Sequence, residues 1–211
     1  MAYTRGTSTN IIVGAAALFV ADTTLTAGTL PAFVSSESYK ETLADDVDFT
    51  NVGYTMNGLE LQFQPDFGEV QVDQILDVAK LYKQGMKVNL ATAFAEATLE
   101  NLLLSLAYKD SKLTGTKSTS NGQALDLSAG DIGECPVERG LVAVGPGTGD
   151  CEDSSYVERV YTAYRALSID NVTVSAKRNE PSMFAVSFRL LPEDTSGSYG
   201  KIVDRTWTPA S

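Results

Sequence analysis

Gly58-Leu-Glu-Leu-Gln-Phe-Gln-Pro-Asp-Phe-Gly-Glu-Val-Gln-Val-Asp-Gln74 sets the class of fold for this 211-residue chain. Leu59, Leu61 and Phe63 alternate with Glu60, Gln62 and Gln64, and further on Val70 and Val72 alternate with Glu69, Gln71 and Asp73. A period of two is that of a strand with one apolar and one polar face. Pro65-Asp-Phe-Gly68 between the two runs reads as a turn, because proline pre-sets its own φ and glycine tolerates the conformations that close a short loop. The expectation is an antiparallel hairpin with one dry face and one face of acids and amides.

Downstream, Val88, Leu90, Thr92 and Phe94 alternate with Lys87, Asn89, Ala91 and Ala93, which predicts a strand from about Met86 to Ala95. Helix propensity alone would instead extend a helix back through the alanines of 91–97. Leu99, Leu102, Leu103 and Leu106 then fall at helical spacing, with Thr98 as N-cap and Glu100 in the first turn, so a helix is expected from about Thr98 to Tyr108.

Upstream, Ile11-Ile-Val-Gly-Ala-Ala-Ala-Leu-Phe-Val20 has the apolar character of a secretory signal. It is preceded by a single cation, Arg5, and Phe19-Val20-Ala21 lacks the small residue expected three before a cleavage point, so a buried first strand is the expectation. It is too short to span a bilayer, and no other segment is long and apolar enough to do so. Residues 22–57 read as a long loop or arm with weak periodicity, whose aromatics Phe33, Tyr39, Phe49 and Tyr54 are expected to dock on something. Residues 110–155, rich in Gly, Ser, Thr and Lys, read as an inserted peripheral excursion holding two short strand candidates, Leu125–Leu127 and Leu141–Val144.

The last third returns to strands. Tyr156 to Leu167 fits helix and strand about equally, and its Tyr, Val and Thr content favours strand. Val172 and Val174, then Phe184, Val186, Phe188 and Leu190, alternate with polar or small residues and predict a second hairpin turning at Lys177–Pro181. Tyr199–Asp204 adds a short final strand. The expected class is mainly β, an antiparallel sandwich or partial barrel with a flanking α-helix, in a single domain over 1–211.

Charge and composition narrow the function. Against 16 basic residues stand 27 acidic ones, a formal net charge of -11, with no cationic run to grip phosphates. The chain has no histidine, and so lacks the side chain most used for proton transfer near neutral pH and for binding metals. Gly145-Pro-Gly-Thr-Gly-Asp150 lacks the Gly-Lys-Ser/Thr ending of a phosphate loop, and Asp45, Asp46 and Asp48 lack the glycine and distal glutamate of a calcium loop. No spacing singles out a pair of glycosidase carboxylates. Cys135 and Cys151 are read as two reduced thiols, with a disulfide as the alternative. No catalytic residue, cofactor site or metal site is expected.

The order of Gly58-Leu-Glu-Leu-Gln-Phe-Gln-Pro65, Glu69-Val-Gln-Val-Asp-Gln74, Glu96-Ala-Thr-Leu-Glu-Asn-Leu102, Phe188-Arg-Leu-Leu-Pro192 and Tyr199-Gly-Lys-Ile-Val-Asp-Arg205 resembles the major tail tube proteins of long-tailed bacteriophages. The likeness covers residues 11–20, 52–108 and 156–205. It implies a β-sandwich whose inner sheets join those of further copies, six to a ring, into a closed barrel. It also implies stacking of rings into a conduit through which DNA passes unbound. The implied partners are further copies of the chain and the tail terminator and tail tip proteins of the virion, with assembly in the host cytoplasm and residence in the virion tail. On this reading Glu60, Gln62, Gln64, Glu69, Gln71 and Asp73 face the lumen, where an acidic wall repels DNA, and Phe33, Tyr39, Phe49 and Tyr54 make contacts between rings. The inner tube of a contractile tail or injection apparatus is the nearest alternative. A secreted carbohydrate-binding β-sandwich, using Trp207, is the alternative of a different class.

Overall fold

The computed structural model describes residues 10–120, 122–129, 132–149, 155–175, 178–179 and 181–209. Ten strands and two short helices follow one another as β1 (Ala17–Ala21), α1 (Tyr39–Asp45), β2 (Phe49–Asn51), β3 (Thr55–Gln71), β4 (Val78–Phe94), α2 (Leu99–Ser105), β5 (Leu113–Gly115), β6 (Gln123–Leu125), β7 (Arg139–Pro146), β8 (Tyr156–Ser168), β9 (Phe184–Leu191) and β10 (Gly200–Trp207). Eight of the strands form one antiparallel sheet in the order β2-β1-β7-β8-β9-β4-β3, with β10 also on β8, and β5 and β6 form a separate pair.

Strand β8 is shared. Its residues 156–163 pair with β10 and its residues 165–168 with β9, while β7 runs along its other edge. The sheet divides at that point, and the β9-β4-β3 branch curls over the rest. Leu18 and Val20 of β1 and Leu141 and Ala143 of β7 thereby meet Val88, Leu90 and Phe94 of β4 and Phe184, Val186, Phe188 and Leu190 of β9 in one core. Intervening residues of the same inner strands, Phe19, Ala21, Val142, Val144, Val160 and Tyr164, point the other way. They form a second core with Leu25, Tyr39, Leu43 and Phe49. Burial on both faces explains why β1 and β7 read as continuous apolar runs rather than alternating ones. The signal-like segment is thus an inner strand, confined to its last part, Ala17–Ala21.

Several expectations are corrected. No turn forms at Pro65–Gly68; β3 runs straight through it for 17 residues, Pro65 opposite Met86 and Asp66 opposite Gly85, and the chain reverses only at 72–77. Proline is tolerated because β3 is an edge strand with a single neighbour. A bulge at its start, between Met56 and Glu60, uses left-handed Asn57 and Gly58 (φ 66° and 73°). Residues 22–57 are not one loop but hold α1 and β2, so there are two helices and not one. The expected peripheral region 110–155 contains β7, a central strand of the sheet. Residues 171–175 are not a strand, and the expected turn at Lys177–Pro181 lies partly outside the described residues. The pairing of Cys135 with Cys151 also falls partly on residues that are not described; Cys135 itself is exposed.

Other expectations hold. Thr98 caps α2, accepting from the Asn101 N–H at 3.2 Å. The helix stops at Ser105, earlier than expected, because Ala107 turns left-handed (φ 53°). Its inner face is fixed by Leu104 in the first core and by the Asn101 side chain, which donates to the Val52 and Glu96 carbonyls at 2.9 Å each. Tyr156–Leu167 is a strand, and the tail strand runs on to Trp207.

Gly200 starts β10 so close to β8 that a Cβ would lie 1.8 Å from the Thr162 carbonyl oxygen. Gly200→Ala is therefore expected to push β10 off β8 and to cost about 1–3 kcal/mol of stability, read from the urea midpoint.

Candidate assembly surfaces

Where β3 and β4 leave the core they continue as a two-stranded arm. From Phe63 to the 72–77 turn and back to Tyr82, both strands are exposed apart from half-buried Val78 and from Gly68, which lies under the Tyr82 and Gln84 side chains. The arm carries a string of exposed apolar side chains, Phe63, Phe67, Val70, Val72, Ile75, Leu76, Leu81 and Tyr82. Exposed singly, such residues need no explanation; grouped on an arm with no covering element, they mark a contact surface.

At the base of the arm, the outer face of β3, β4 and β9 is uncovered. Glu60, Gln62 and Gln64 lie there, opposite Ala91, Asn89 and Lys87, and Arg189 of β9 stands next to Asn89. Alternation puts Asp66 on the same side. Two acids thus face two bases, and the surface is amide-rich and charge-balanced rather than acidic. Glu69 and Gln71 do not join it. Without a turn at 65–68 they stand an odd number of residues from Glu60, Gln62 and Gln64, on the other face of the same strand, and Asp73 lies in the turn at the arm's tip. The expected six-residue face is split by parity.

The aromatic set is split as well. Tyr39 and Phe49 are core residues, 1% and 7% exposed, so they are closed to any partner of the folded chain. Phe33 and Tyr54 are exposed. Phe33 packs on Tyr39 with ring centroids 4.6 Å apart and lies under the Arg205 guanidinium at 5.1 Å.

A buried charge network that the sequence reading missed holds this region. Glu158 on β8 accepts hydrogen bonds from the Ser38 hydroxyl (2.7 Å) and the Tyr39 N–H (2.8 Å), and Arg205 on β10 stands 3.4 Å away. Arg205 also donates to the Val34 and Glu37 carbonyls. The two charges sit at the N-terminus of α1 and tie residues 33–39 to two strands. The available signal was Ser38 three residues before Glu41, the pattern of a capping box, with Tyr39 and Leu43 one turn apart. Arg139, also buried, donates to Asp110 (2.5 Å) and to the Asp22 carbonyl (3.3 Å), tying β7 to the loops on either side.

Outside the core, Arg159 donates twice to Asp204, holding that carboxyl below its usual range. Tyr156 and Trp207, partners across β8 and β10, stack with centroids 4.9 Å apart. Among the described residues no group of carboxylates or thiols is placed to hold a metal ion, and no helix is long and apolar enough to cross a membrane.

Replacing Arg205 by Met leaves Glu158 buried without its counter-charge. The expected loss is on the order of 3 kcal/mol, and the change should free residues 33–38 to proteolysis. Burial pushes the Tyr39 hydroxyl from 10.0 up to about 12, against an opposing pull from Arg205. Below pH 10 both states keep the proton and Tyr39 contributes no pH dependence. Between about pH 10 and 12 the unfolded chain gives it up first, so stability falls as pH rises. Urea unfolding across that window should show the decline, and Tyr39→Phe should flatten it.

No protein-family model matches the chain, and no curated protein is significantly similar to it.

Proposed function

We propose that the chain is a structural subunit that assembles with copies of itself into a tube, and that the tube is the tail tube of a bacteriophage. The observation that carries the reading is the unfinished state of the sheet. Strand β3 offers an edge of 17 residues with no neighbour on one side, β10 is paired on one side only, and an apolar arm projects beyond both cores. A long open edge is an aggregation hazard for a monomer, and closure of a ring between copies removes it. The sequence resemblance supplies the kind of tube; the exposed edges and the arm supply a physical reason for assembly.

On this reading the uncovered face of Glu60, Gln62 and Gln64 lines the bore. A ring of six copies at -11 each carries a formal -66, which opposes DNA adsorption from a distance, while a charge-balanced wall of amides offers phosphates no cluster of bases to hold. Transport without binding needs both. The tail terminator and tail tip would cap the two ends, and the tube would reside in the virion tail. The inner tube of a contractile machine uses the same surfaces.

One observation favours a second reading, a carbohydrate-binding sandwich: the stacked Tyr156 and Trp207 side chains form an aromatic surface of the kind that sugars stack on. Negative-stain electron microscopy over a concentration series, beside light scattering, separates the two. Hollow tubes or stacked rings with a bore wide enough for duplex DNA are expected. A monomer at every concentration that binds a glycan, and loses it on Trp207→Ala, would replace the tube by the binding module.

A further inference from the structure

The free side of β10 is covered at one end only. Tyr164 donates to the Tyr199 carbonyl at 3.0 Å, and from there the odd-numbered residues of β10 turn their N–H and C=O toward β8. Ile202, Asp204 and Thr206 turn theirs away, to the side where β10 has no second neighbour. Thr208, next in that series, donates to the Ser35 carbonyl at 2.9 Å. Residues 31–37 thus lie across the end of the open edge, as a loop that covers a strand edge does.

This cover is anchored at both ends and loose between them. Leu30 packs against the second core, and Ser38 and Tyr39 are buried. Residues 31–37 add no side chain to either core, and 32–36 are exposed. Polar contacts hold them instead. Arg205 donates to the Val34 and Glu37 carbonyls and stands over the Phe33 ring, and the Tyr39 hydroxyl donates to the Pro31 carbonyl at 2.9 Å. Segments with few apolar contacts and exposed hydrogen bonds are the first to open. When this one leaves, Arg205 keeps Glu158, 3.4 Å away, so opening strands no buried charge.

We propose that residues 31–37 are a strap that shuts the end of the β10 edge in the single chain, and that a strand edge of a second copy displaces it as copies join. This rests on the self-assembly put forward above and adds its control. Only chains with the strap released are competent to join, so the concentration at which tubes appear rises as the released fraction falls. The covered edge is protected from other partners, and a new ladder along 202–208 replaces the backbone bond lost at Ser35.

The test uses the full chain with Cys135→Ser and Cys151→Ser, carrying Ser35→Cys and Thr208→Cys. Negative-stain microscopy and light scattering over a concentration series compare its disulfide and dithiol forms. With the strap tied to β10 by the disulfide, tubes should be at least about tenfold fewer, and dithiothreitol should restore them. Phe33→Ser, in the otherwise unaltered chain, removes the ring that lies between Arg205 and Tyr39. Tubes should then appear at a concentration roughly two- to fivefold lower. Equal tube yields from the disulfide and dithiol forms, or an unchanged threshold for Phe33→Ser, overturn the strap and leave the tube. Wild-type protein that forms neither tubes nor rings at any concentration overturns both.

Discussion

Strands β1, β7 and β8 are buried on both faces, and the rest of the molecule depends on that. Successive side chains go to opposite cores, so each residue of Leu18-Phe19-Val20 and Leu141-Val142-Ala143-Val144 is spent inside. Fully burying a Leu, Val or Phe side chain contributes about 1.5–3 kcal/mol, whereas an exposed ion pair such as Arg159–Asp204 contributes at most about 1. The two cores therefore hold the fold, and the surface pairs tune it. Because β1 and β7 have no polar face, something must cover each side: the curled β9-β4-β3 branch covers one, and α1 with residues 25–49 covers the other.

Much of this architecture is readable in the chain. Thr98 announces α2, the alternation of Val88 to Phe94 announces β4, and the Phe184 to Leu190 pattern announces β9. Proline at 65 was misleading for a physical reason: in a central strand it would stop the ladder, but at an edge the missing N–H faces no neighbour, so the turn rule did not apply. That one step also assigned Glu69 and Gln71 to the wrong side, since a turn conserves the facing of a hairpin and a straight strand does not. Tyr39 and Phe49 were read as docking residues because seven residues of helix and three of strand leave almost no periodicity to detect. The strand candidate Leu141–Val144 belongs to the inner strand β7, and its central place was hidden by a Gly-rich neighbourhood that looked peripheral and by the distance in sequence to its partner β1.

The polar part of the candidate site was least legible. Glu158, Arg205 and Arg139 carry no local signal, because each gains its role from strands far apart in the chain. Their placement shows where charge is used structurally: one pair fastens the 33–39 segment over the second core, another ties β7 to the loops on either side of it. The remaining excess of acid is left to the surface, where it acts at long range through the field of the whole molecule rather than through contacts.

Pro65 also limits what the open edge of β3 can accept. A strand arriving alongside would need a regular series of N–H donors, and at that position β3 has none to offer. Any partner's ladder loses a bond there, and with the bulge between Met56 and Glu60 an added strand finds two short tracts, 60–64 and 66–71, instead of one of 17 residues. Indiscriminate cross-β growth needs long uninterrupted pairing, and a partner of fixed register does not. A single imino acid therefore filters the company this edge can keep.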